Sequence, residues 1–392
     1  MKILMIAPRP FYTDKGFSVQ ILEGIKALKQ KGNEILICCY PLGDDIAGIK
    51  ISRPIRIPWY RDPLKKATFD YVYLDILLFF SALKSALRFK PDIIHAHIHE
   101  GGLIGIIIGR LLGVPVILDI QGSMLGEYRE RGLSGNKLIE KAVFFIERLV
   151  NRNADAIITE LDFHRDNILK DPRIHKSRVH RIIYGVDTEL FSSRPRDTNL
   201  KEELGIPEQR KVIGYLGLLT FFQGIDYLLD AMKLIVNKRS DAHLLLMGFQ
   251  DIKKYKKKAQ DLGLRDYVTF TGRVPYNDAP RFLSLCDIAV GPKISFAEGN
   301  GKLINYMSVG LPTVAFDIPM NKELLGEFGV YAKLKDTQDL AGCILHLMES
   351  SNERIRLSNK LRERAVEKFS LEKFADYLMG VYKVALARCI RA

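Results

Sequence analysis

One segment of the chain places a carboxylate and a glycine-flanked lysine just before a helical run. The segment extends from Glu298 to Met307, and a turn at Gly310 and Pro312 leads from it into a short apolar strand, 313–316. Backbone N–H groups at a helix start point towards an anion placed above them, so the segment predicts a phosphate cradle. The predicted cradle residues are Asn300, Gly301, Lys302 and Leu303.

Glu298 precedes this cradle, where its carboxylate can accept hydrogen bonds from a neutral polyhydroxyl group. A phosphate site beside a polyhydroxyl site suits a nucleotide-sugar. The same residues also fit an ordinary strand, loop and helix of an α/β domain, because one glycine-rich loop is a weak motif. Both interpretations stay open on this segment alone.

The length and composition of the chain fit a globular protein with two domains. It has 392 residues, of which 47% are apolar and 27% charged, and this length usually exceeds what one hydrophobic core serves. The first apolar run is too short for a signal peptide, and Asp75, Arg110 and Pro115 interrupt the longer apolar runs. We therefore expect a cytoplasmic protein.

The net charge of +13 calls for an anionic partner, which could be nucleotide phosphate, nucleic acid or an acidic membrane surface. The basic residues are spread along the chain and form no recognisable nucleic-acid motif, so we expect no nucleic-acid partner. The five cysteines show no paired metal-ligand spacing, which indicates reduced structural thiols.

The segment from Arg53 to Phe89 differs in character from the rest of the chain. It combines Trp59, Lys65 and other aromatic and basic residues with the apolar run 71–83. This mixture suits a surface that contacts anionic lipid. A long core helix with a solvated basic end explains the segment as well, and we favour this second interpretation.

Apolar runs alternate with helix-length amphipathic runs along nearly the whole chain, which predicts parallel α/β sheets. In the first half the predicted strands are 2–7, 34–39, 92–97, 114–119, 156–159 and 179–183. In the second half they are 212–216, 243–247, 268–270, 287–290 and 313–316. The polar stretch 187–210 between the two sets is predicted to be an interdomain linker.

The pattern predicts two tandem Rossmann-like, doubly wound domains, 1–186 and 211–368. In this arrangement a ligand cleft lies between the domains, at the carboxyl ends of both sheets. Residues 369–392 form a last helix with no strand after it, and we expect this helix to cross back to the first domain.

Several short motifs spread over the chain are together more specific than one glycine loop. They are the opening strand with its Gly16 turn and the segments 92–97, 119–122, 182–187, 214–217, 224–226 and 310–312. With two tandem α/β domains, the chain resembles the family 4 glycosyltransferases of GT-B fold. The resemblance implies transfer of a sugar from a nucleoside diphosphate sugar, with retention at the anomeric carbon and with no cofactor or catalytic metal.

In this family the donor lies mainly against the second domain and the acceptor against the first. Gly16 would then let the first-domain backbone approach the donor diphosphate. Glu298 matches the first glutamate of the family's paired-glutamate motif, which holds hydroxyls of the donor sugar. Asn305 lies near the second, ribose-binding glutamate, although it is an amide and the spacing is one residue short.

The chain departs from the family pattern at residues 217–224. Many relatives carry an arginine after the first glycine and a lysine before the last, and both contact the diphosphate, whereas this chain has Leu218 and Gln223. Each missing charge-assisted bond is worth roughly 1.5–3 kcal/mol. The cations that would replace this charge are Lys302, Lys293 and Arg273, and a solvated surface position would explain each of them too.

On the acceptor side, relatives often carry a histidine after the fourth strand, where this chain has Gln121. Glutamine cannot take a proton at neutral pH, so Gln121 would orient the substrate while a leaving phosphate oxygen takes the acceptor proton. His95, His97 and His99 alternate and so share one face of a strand end. We expect His97 at the strand tip to contact substrate, and we expect no metal there.

Three functions compete. The leading hypothesis is a retaining glycosyltransferase with a glycan or lipid-linked acceptor, in the cytoplasm or at the inner face of the cell membrane. A nucleotide-sugar epimerase needs acid and base groups around the sugar ring, which Gln121 disfavours. A non-catalytic nucleotide-sugar-binding or scaffolding subunit would explain the replacements at Leu218, Gln223, Asn305 and Gln121.

Overall fold

The computed structural model describes the chain except for residues 14–15, 61–69, 123, 125–136, 297–298 and 390–392. The chain divides into two compact units. The first contains Met1–Gly185 together with Leu371–Ala392, and the second contains Val186–Ser370. Each unit is built on one parallel sheet.

Among the described residues, the first unit has a seven-stranded sheet in the order β3-β2-β1-β4-β5-β6-β7. Its strands are β1 (Lys2–Ala7), β2 (Glu34–Cys39), β3 (Lys50–Ser52), β4 (Ile93–His97), β5 (Val116–Ile120), β6 (Ala156–Thr159) and β7 (Val179–Arg181). The helices between them are α1 (Gly16–Gln30), α2 (Asp70–Phe89), α3 (Ile98–Leu112), α4 (Lys137–Asn153) and α5 (Asp162–Leu169).

In its described part, the second unit has a six-stranded sheet in the order β10-β9-β8-β11-β12-β13. Its strands are β8 (Lys211–Leu216), β9 (Ala242–Met247), β10 (Val268–Gly272), β11 (Ile288–Gly291), β12 (Thr313–Phe316) and β13 (Val330–Ala332). Its helices are α6 (Thr198–Glu203), α7 (Ile225–Lys238), α8 (Ile252–Asp261), α9 (Ala279–Leu283), α10 (Lys302–Ser308), α11 (Pro319–Leu325), α12 (Thr337–Glu349) and α13 (Ser351–Phe369). Helix α14 (Leu371–Cys389) returns to the first unit.

The sheet of the first unit is covered on both sides because successive side chains of a strand point to opposite faces. Ile3 and Met5 of β1 pack with buried residues of α1 and α14. Leu4 and Ile6 of the same strand pack on the other side with α2, α3 and α4. Among the described residues, no helix combines the length and the apolar composition needed to cross a membrane.

The stretch 187–210, predicted as a linker, is packed into the second unit. Phe191 in this stretch is fully buried, and its carbonyl accepts hydrogen bonds from Ser308 and Arg362 at 2.7 and 2.9 Å. Its polar composition suggested a solvated linker, but side chains of α10 and α13 supply the hydrogen bonds that water would otherwise make. The stretch is therefore part of the folded unit.

Every predicted strand is present, with its ends displaced by two residues or fewer. The pattern missed two three-residue strands, β3 and β13, which lie at the edges of their sheets. A strand of three residues is too short to show a periodicity, and its pairing is set by the neighbouring strand.

Candidate functional site

The strand order of the second sheet changes direction at β8, whose neighbours are β9 on one side and β11 on the other. Ligands of open parallel sheets bind outside the carboxyl ends of the strands at such a point. Gly217 follows β8 and Pro292 follows β11 at this end. We call the residues around these two strand ends the β8/β11 site.

Lys302 brings a positive charge to the β8/β11 site. Its Nζ donates hydrogen bonds to Oε1 of Gln223 and, at 3.2 Å, to Oδ1 of Asn300. The ammonium also lies 5.3 Å from the centre of the Tyr215 ring. Lys302 begins α10 and Gln223 lies in the turn after β8, so the fold joins two segments that are far apart in the sequence.

Gly217 lets the Lys302 side chain lie against the end of β8. Its φ is 140°, and a Cβ built on Gly217 would lie 2.9 Å from Cε of Lys302. A larger residue would therefore both strain the backbone and displace the lysine. The glycine that ends the 214–217 motif thus has a direct packing role at this site.

Asn300 holds Lys302 from the other side. It is buried, and its Nδ2 donates to Oδ1 of Asn321 at 2.9 Å. Asn321 in turn donates from its own amide to the carbonyl of Phe316 at 2.9 Å. This chain of amides anchors Asn300 to the end of β12 and fixes its Oδ1 as an acceptor for Lys302.

Of the four residues of the predicted cradle, Leu303 has its backbone amide engaged within the start of α10, and a cradle at Asn300, Gly301 and Lys302 stays a prediction. The amide of Leu303 donates to the Asn300 carbonyl, and those of Ile304 and Asn305 donate to the Gly301 carbonyl. Leu303 is itself fully buried, in a place where a Cβ on Gly291 would overlap it. The ammonium of Lys302, rather than these three amides, is the group that can meet an anion.

The remaining predicted donor residues lie at the same end of the sheet. Lys293 follows β11, is buried, and donates from Nζ to the Gly299 carbonyl at 2.7 Å. Gly301 is exposed beside Lys302. Arg273 is exposed after the edge strand β10, two strands away from β8. Glu298 lies outside the described residues.

The first sheet has the same change of direction between β1 and β4. His97 ends β4 at this point, and Ile98 after it has a φ of 54°. A β-branched residue rarely adopts this conformation, and strained backbone of this kind clusters at functional sites.

Asp119 of the neighbouring strand β5 fixes the His97 ring. His97 Nδ1 lies 3.0 Å from Asp119 Oδ2, and because a carboxylate only accepts, the ring proton is on Nδ1. In the neutral form of the ring this leaves Nε2 of His97 with a lone pair. Nε2 is buried and has no hydrogen-bond partner in the part of the chain that the structure describes. The ring of Phe17 packs edge-on against His97, with 6.2 Å between the ring centres.

Asp119 is the centre of a buried polar cluster. Its Oδ1 accepts a hydrogen bond from the Tyr184 hydroxyl at 2.6 Å, and its Oδ2 lies 3.5 Å from Nε2 of His95. The Tyr382 hydroxyl of α14 lies 2.6 Å from Nδ1 of His95.

Protonation in this cluster follows from burial and hydrogen bonding. Burial disfavours the charged form of Asp119, but the close His95 ring and the hydrogen bond with His97 outweigh it and hold the pKa of this carboxyl well below its usual range. Burial lowers the pKa of His95 and raises that of Tyr184. At neutral pH an ionised Asp119 therefore faces a neutral His95 and a neutral Tyr184.

Two predicted residues of the first unit remain. Gln121 lies close to the Asp119 cluster, and Gly16 lies at the start of α1. Gln121 follows β5 and lies near enough to the Tyr184 hydroxyl to lower the pKa of that group in part, against the effect of burial. Its Nε2 is buried and has no hydrogen-bond partner among the described residues. Gly16 is exposed at the start of α1, and a Cβ built on it meets no atom within 4 Å. The described part of the first unit therefore does not require glycine at position 16.

His95, His97 and Asp119 also offer three ligand atoms within 4.8 Å of one another. The hydrogen bonds described above account for the close approach of these side chains. That the chain works without a catalytic metal stays a prediction, which metal analysis of the purified protein would test.

Some residues of the two sites were not indicated by the sequence alone. They are Asp119 as the partner of His97, and Tyr184, Tyr215, Asn321 and Tyr382. A signal existed only for Asp119, since an aspartate inside a buried apolar strand must find polar partners. The tyrosines and Asn321 reach the sites from turns, strands or helices whose local pattern is ordinary.

Two family models match the chain. The model described as Glycosyltransferase Family 4 matches residues 15–190, and the one described as Glycosyl transferases group 1 matches residues 196–364. The two matches follow one another along the chain, one for each sheet.

Individual relatives agree with these matches. Alpha-D-kanosaminyltransferase of Streptomyces kanamyceticus is 24% identical over 312 residues, which are 77% of this chain and 80% of that protein. Alpha-monoglucosyldiacylglycerol synthase of Streptococcus pneumoniae is 27% identical over 314 residues, which are 77% of this chain and 70% of that protein. The structure of Anabaena HepE in complex with UDP and glucose has a TM-score of 0.78 at 17% identity, covering 98% of this chain and 99% of that chain.

Proposed function

The chain belongs to the family 4 glycosyltransferases and has their GT-B fold of two Rossmann-like domains, and from this premise we propose its reaction. The protein transfers a sugar from a nucleoside diphosphate sugar to a glycan or lipid-linked acceptor, with retention of the anomeric configuration. The observation that carries the proposal is the Lys302 ammonium at the β8/β11 site.

Lys302 suits a diphosphate for electrostatic reasons. Its two described hydrogen bonds go to neutral amide oxygens, those of Gln223 and Asn300. These bonds already have a charged donor, and a phosphate oxygen would bring an ionised acceptor as well, which adds the attraction between opposite charges. The similar HepE structure contains UDP and glucose, which supports a nucleoside diphosphate as the ligand of this fold.

The same lysine would assist the chemical step. When the bond between the anomeric carbon and the diphosphate oxygen breaks, negative charge develops on the departing diphosphate. A preorganised ammonium stabilises this charge more than it stabilises the intact donor. The leaving phosphate oxygen takes the proton of the acceptor hydroxyl as that hydroxyl attacks from the same face, which accounts for retention.

His97 is our candidate for contact with the acceptor. Its Nε2 lone pair can accept a hydrogen bond from a substrate hydroxyl, while Asp119 keeps the proton on Nδ1. Gln121 lies near Tyr184 of the same cluster and orients rather than ionises. A positioning role of this kind does not require His97 to carry the proton away.

Four further roles complete the proposal. Glu298 holds hydroxyls of the donor sugar, Asn305 approaches the ribose, Arg273 approaches the base, and Gly16 leaves room for the diphosphate. For Gly16, the described residues leave open space, because a Cβ built on it meets none of their atoms within 4 Å. The other three roles rest on the family pattern.

The acceptor is proposed from the relatives. The name of alpha-monoglucosyldiacylglycerol synthase refers to a product built on diacylglycerol. A lipid-linked acceptor would place this reaction at the inner face of the cell membrane, where we propose that the protein works.

A binding-only subunit is the second candidate, since Leu218 and Gln223 stand where many relatives carry cations. The test measures thermal stability with UDP, GDP, ADP and their glucose conjugates, then product formation with mixed glycan and lipid acceptors. A ligand at one hundred times its dissociation constant adds about 2.7 kcal/mol to the free energy of unfolding. Binding with transfer or donor hydrolysis supports the enzyme, binding without turnover supports the subunit, and no binding at millimolar donor contradicts both.

A further inference from the structure

Three helices on one side of the first sheet expose large apolar side chains to solvent. On α2 these are Val72, Ile76 and Phe80, which are 66%, 53% and 62% exposed. Their spacing of four residues places them in one stripe along the helix. The opposite stripe of α2, which includes Leu74 and Leu78, is fully buried against the sheet. Helix α2 is therefore apolar on both faces, and the sequence prediction of a core helix accounts for only one of them.

Helix α3, which packs beside α2, repeats this arrangement. Leu103, Ile107 and Leu111 are exposed and again four residues apart. Ile104 and Ile108, one position later, are buried in the cluster that joins the helix to the sheet. The exposed stripes of α2 and α3 belong to helices in contact with each other.

Helix α4, in contact with α3, adds a third stripe. Leu138, Phe145 and Leu149 are exposed and, at spacings of seven and four residues, lie on one face. Val150, the next residue along, is buried in the cluster shared with α2 and α3. We call the exposed stripes of α2, α3 and α4 the outer helical face.

The described charged side chains that are exposed around this face have one sign. Among the described side chains of α2, α3 and α4, the exposed charged ones are all basic, and they are Lys84, Arg88, Arg110, Lys137 and Lys141. Among the acidic side chains of these helices whose burial the structure describes, all are half-buried, as Glu140 and Glu147 of α4 show. A large apolar patch with a basic rim marks an interaction surface.

Trp59 stands beside the start of α2 and is 69% exposed. Its indole Nε1 donates a hydrogen bond to the Tyr73 hydroxyl at 3.1 Å. An exposed tryptophan at the border of an apolar surface is characteristic of the interface between lipid and water.

We propose that the outer helical face docks on a lipid bilayer that contains anionic lipid. The apolar stripes would enter the boundary between head groups and acyl chains, and the basic side chains would meet lipid phosphates. A second copy of this chain is a poorer occupant, because a two-fold interface would bring two basic rims together. The inference goes beyond the proposed transfer reaction and does not depend on which donor binds.

The test is flotation of the full-length protein with vesicles of phosphatidylcholine, alone or mixed with phosphatidylglycerol. We expect binding to the mixed vesicles only. The double variant Phe80→Ser/Phe145→Ser should reduce the partition coefficient about tenfold or more, because two aromatic side chains no longer enter the lipid. The matched control is Ile355→Ser/Val366→Ser, which removes two exposed apolar residues of α13 in the second unit and should bind like the native chain.

Charge is tested separately with Lys84→Glu/Lys141→Glu, which should weaken binding to the mixed vesicles and make the remainder less sensitive to salt. The account is overturned if the native chain does not float with anionic vesicles, or if the Phe80/Phe145 variant floats as well as its control. It is also overturned if light scattering shows a native dimer that this variant disrupts, since the face would then be an interface between copies. Stabilisation of each variant by UDP is measured in parallel, so that failure of the donor site is recognised independently.

Discussion

Lys302 Nζ donates a hydrogen bond to Oε1 of Gln223, although 79 residues separate the two in the sequence. Gln223 occupies the position where, by its resemblance to the family, the chain should have a diphosphate-binding lysine. The structure brings a lysine to the same place from α10. The segment 217–224 therefore lacks a lysine of its own, but the β8/β11 site still contains the ammonium of Lys302.

The partnership of Asp119 with His97 predicts a kinetic signature. Asp119→Asn removes the charge that favours the Nδ1-protonated ring, so transfer should slow by roughly tenfold or more while the affinity for donor stays unchanged. His97→Ala should slow transfer to a similar or greater extent. Because the two act as one unit, the double variant should be no slower than the slower single variant.

The control for these three variants is Tyr382→Phe. It breaks the contact with His95 and leaves the His97–Asp119 pair in place. It should lower stability with little effect on the rate constant. The positioning role of Asp119 is wrong if the losses of transfer rate in the two single variants add, as activation free energies, in the double variant. It is also wrong if Asp119→Asn changes only thermal stability.

Gly16 is predicted to matter for donor binding and not for folding. Gly16→Ala should leave the free energy of unfolding the same or raise it by about 0.4–1 kcal/mol, since the site has room for a methyl group. Donor affinity should nevertheless fall, because the methyl group occupies space reserved for the diphosphate. Titration calorimetry measures this, with Gly342→Ala in α12 as a control that also meets no atom within 4 Å. Equal donor affinity in both variants would show that Gly16 is only a turn residue.

Asp75 predicts a pH dependence of stability. Burial raises its pKa from 3.8 to about 7, and the Tyr40 hydroxyl donates to it at 2.6 Å. Because the folded carboxyl holds its proton more tightly than the unfolded one, its contribution is complete below about pH 4 and is lost as the pH rises through 7.

Asp75→Asn should therefore flatten the dependence of the free energy of unfolding on pH between 4 and 8. The difference from the native chain across this range should be a few kcal/mol at most, from roughly three pKa units at about 1.4 kcal/mol each. Urea unfolding at several pH values measures it, with the exposed Asp261→Asn as the control. An unchanged slope in Asp75→Asn would mean that this carboxyl is ionised in the folded protein at neutral pH.

Most of the fold was predictable because the apolar run that specifies each strand lies within that strand. Apolar runs such as those of β1, β2 and β12 have the length and isolation of buried parallel strands, and their bounds agree with the structure. The linker prediction for residues 187–210 was wrong because composition does not show that Ser308 and Arg362 bind the Phe191 carbonyl.

The sites were only partly predictable because their contacts are between distant segments. Lys302 and His97 were recognisable from their places after a loop and at a strand tip. The role of Asp119 was not, since it depends on Tyr184 and on the pairing of β4 with β5. The predicted backbone cradle at α10 included Leu303, whose amide the structure uses within the helix start, and the sequence does not show which amides are engaged in this way.

The most direct test of the account is titration calorimetry of UDP with the native chain, Lys302→Gln and a control, Lys360→Gln, which removes an exposed lysine paired with Glu363. We predict that Lys302→Gln weakens UDP binding by roughly 10-fold to 150-fold, which corresponds to 1.5–3 kcal/mol for one charge-assisted bond. The control should bind like the native chain, and the swap Gln223→Lys/Lys302→Gln should recover part of the loss. Native-like UDP binding by Lys302→Gln would contradict the assignment of Lys302 as the diphosphate cation.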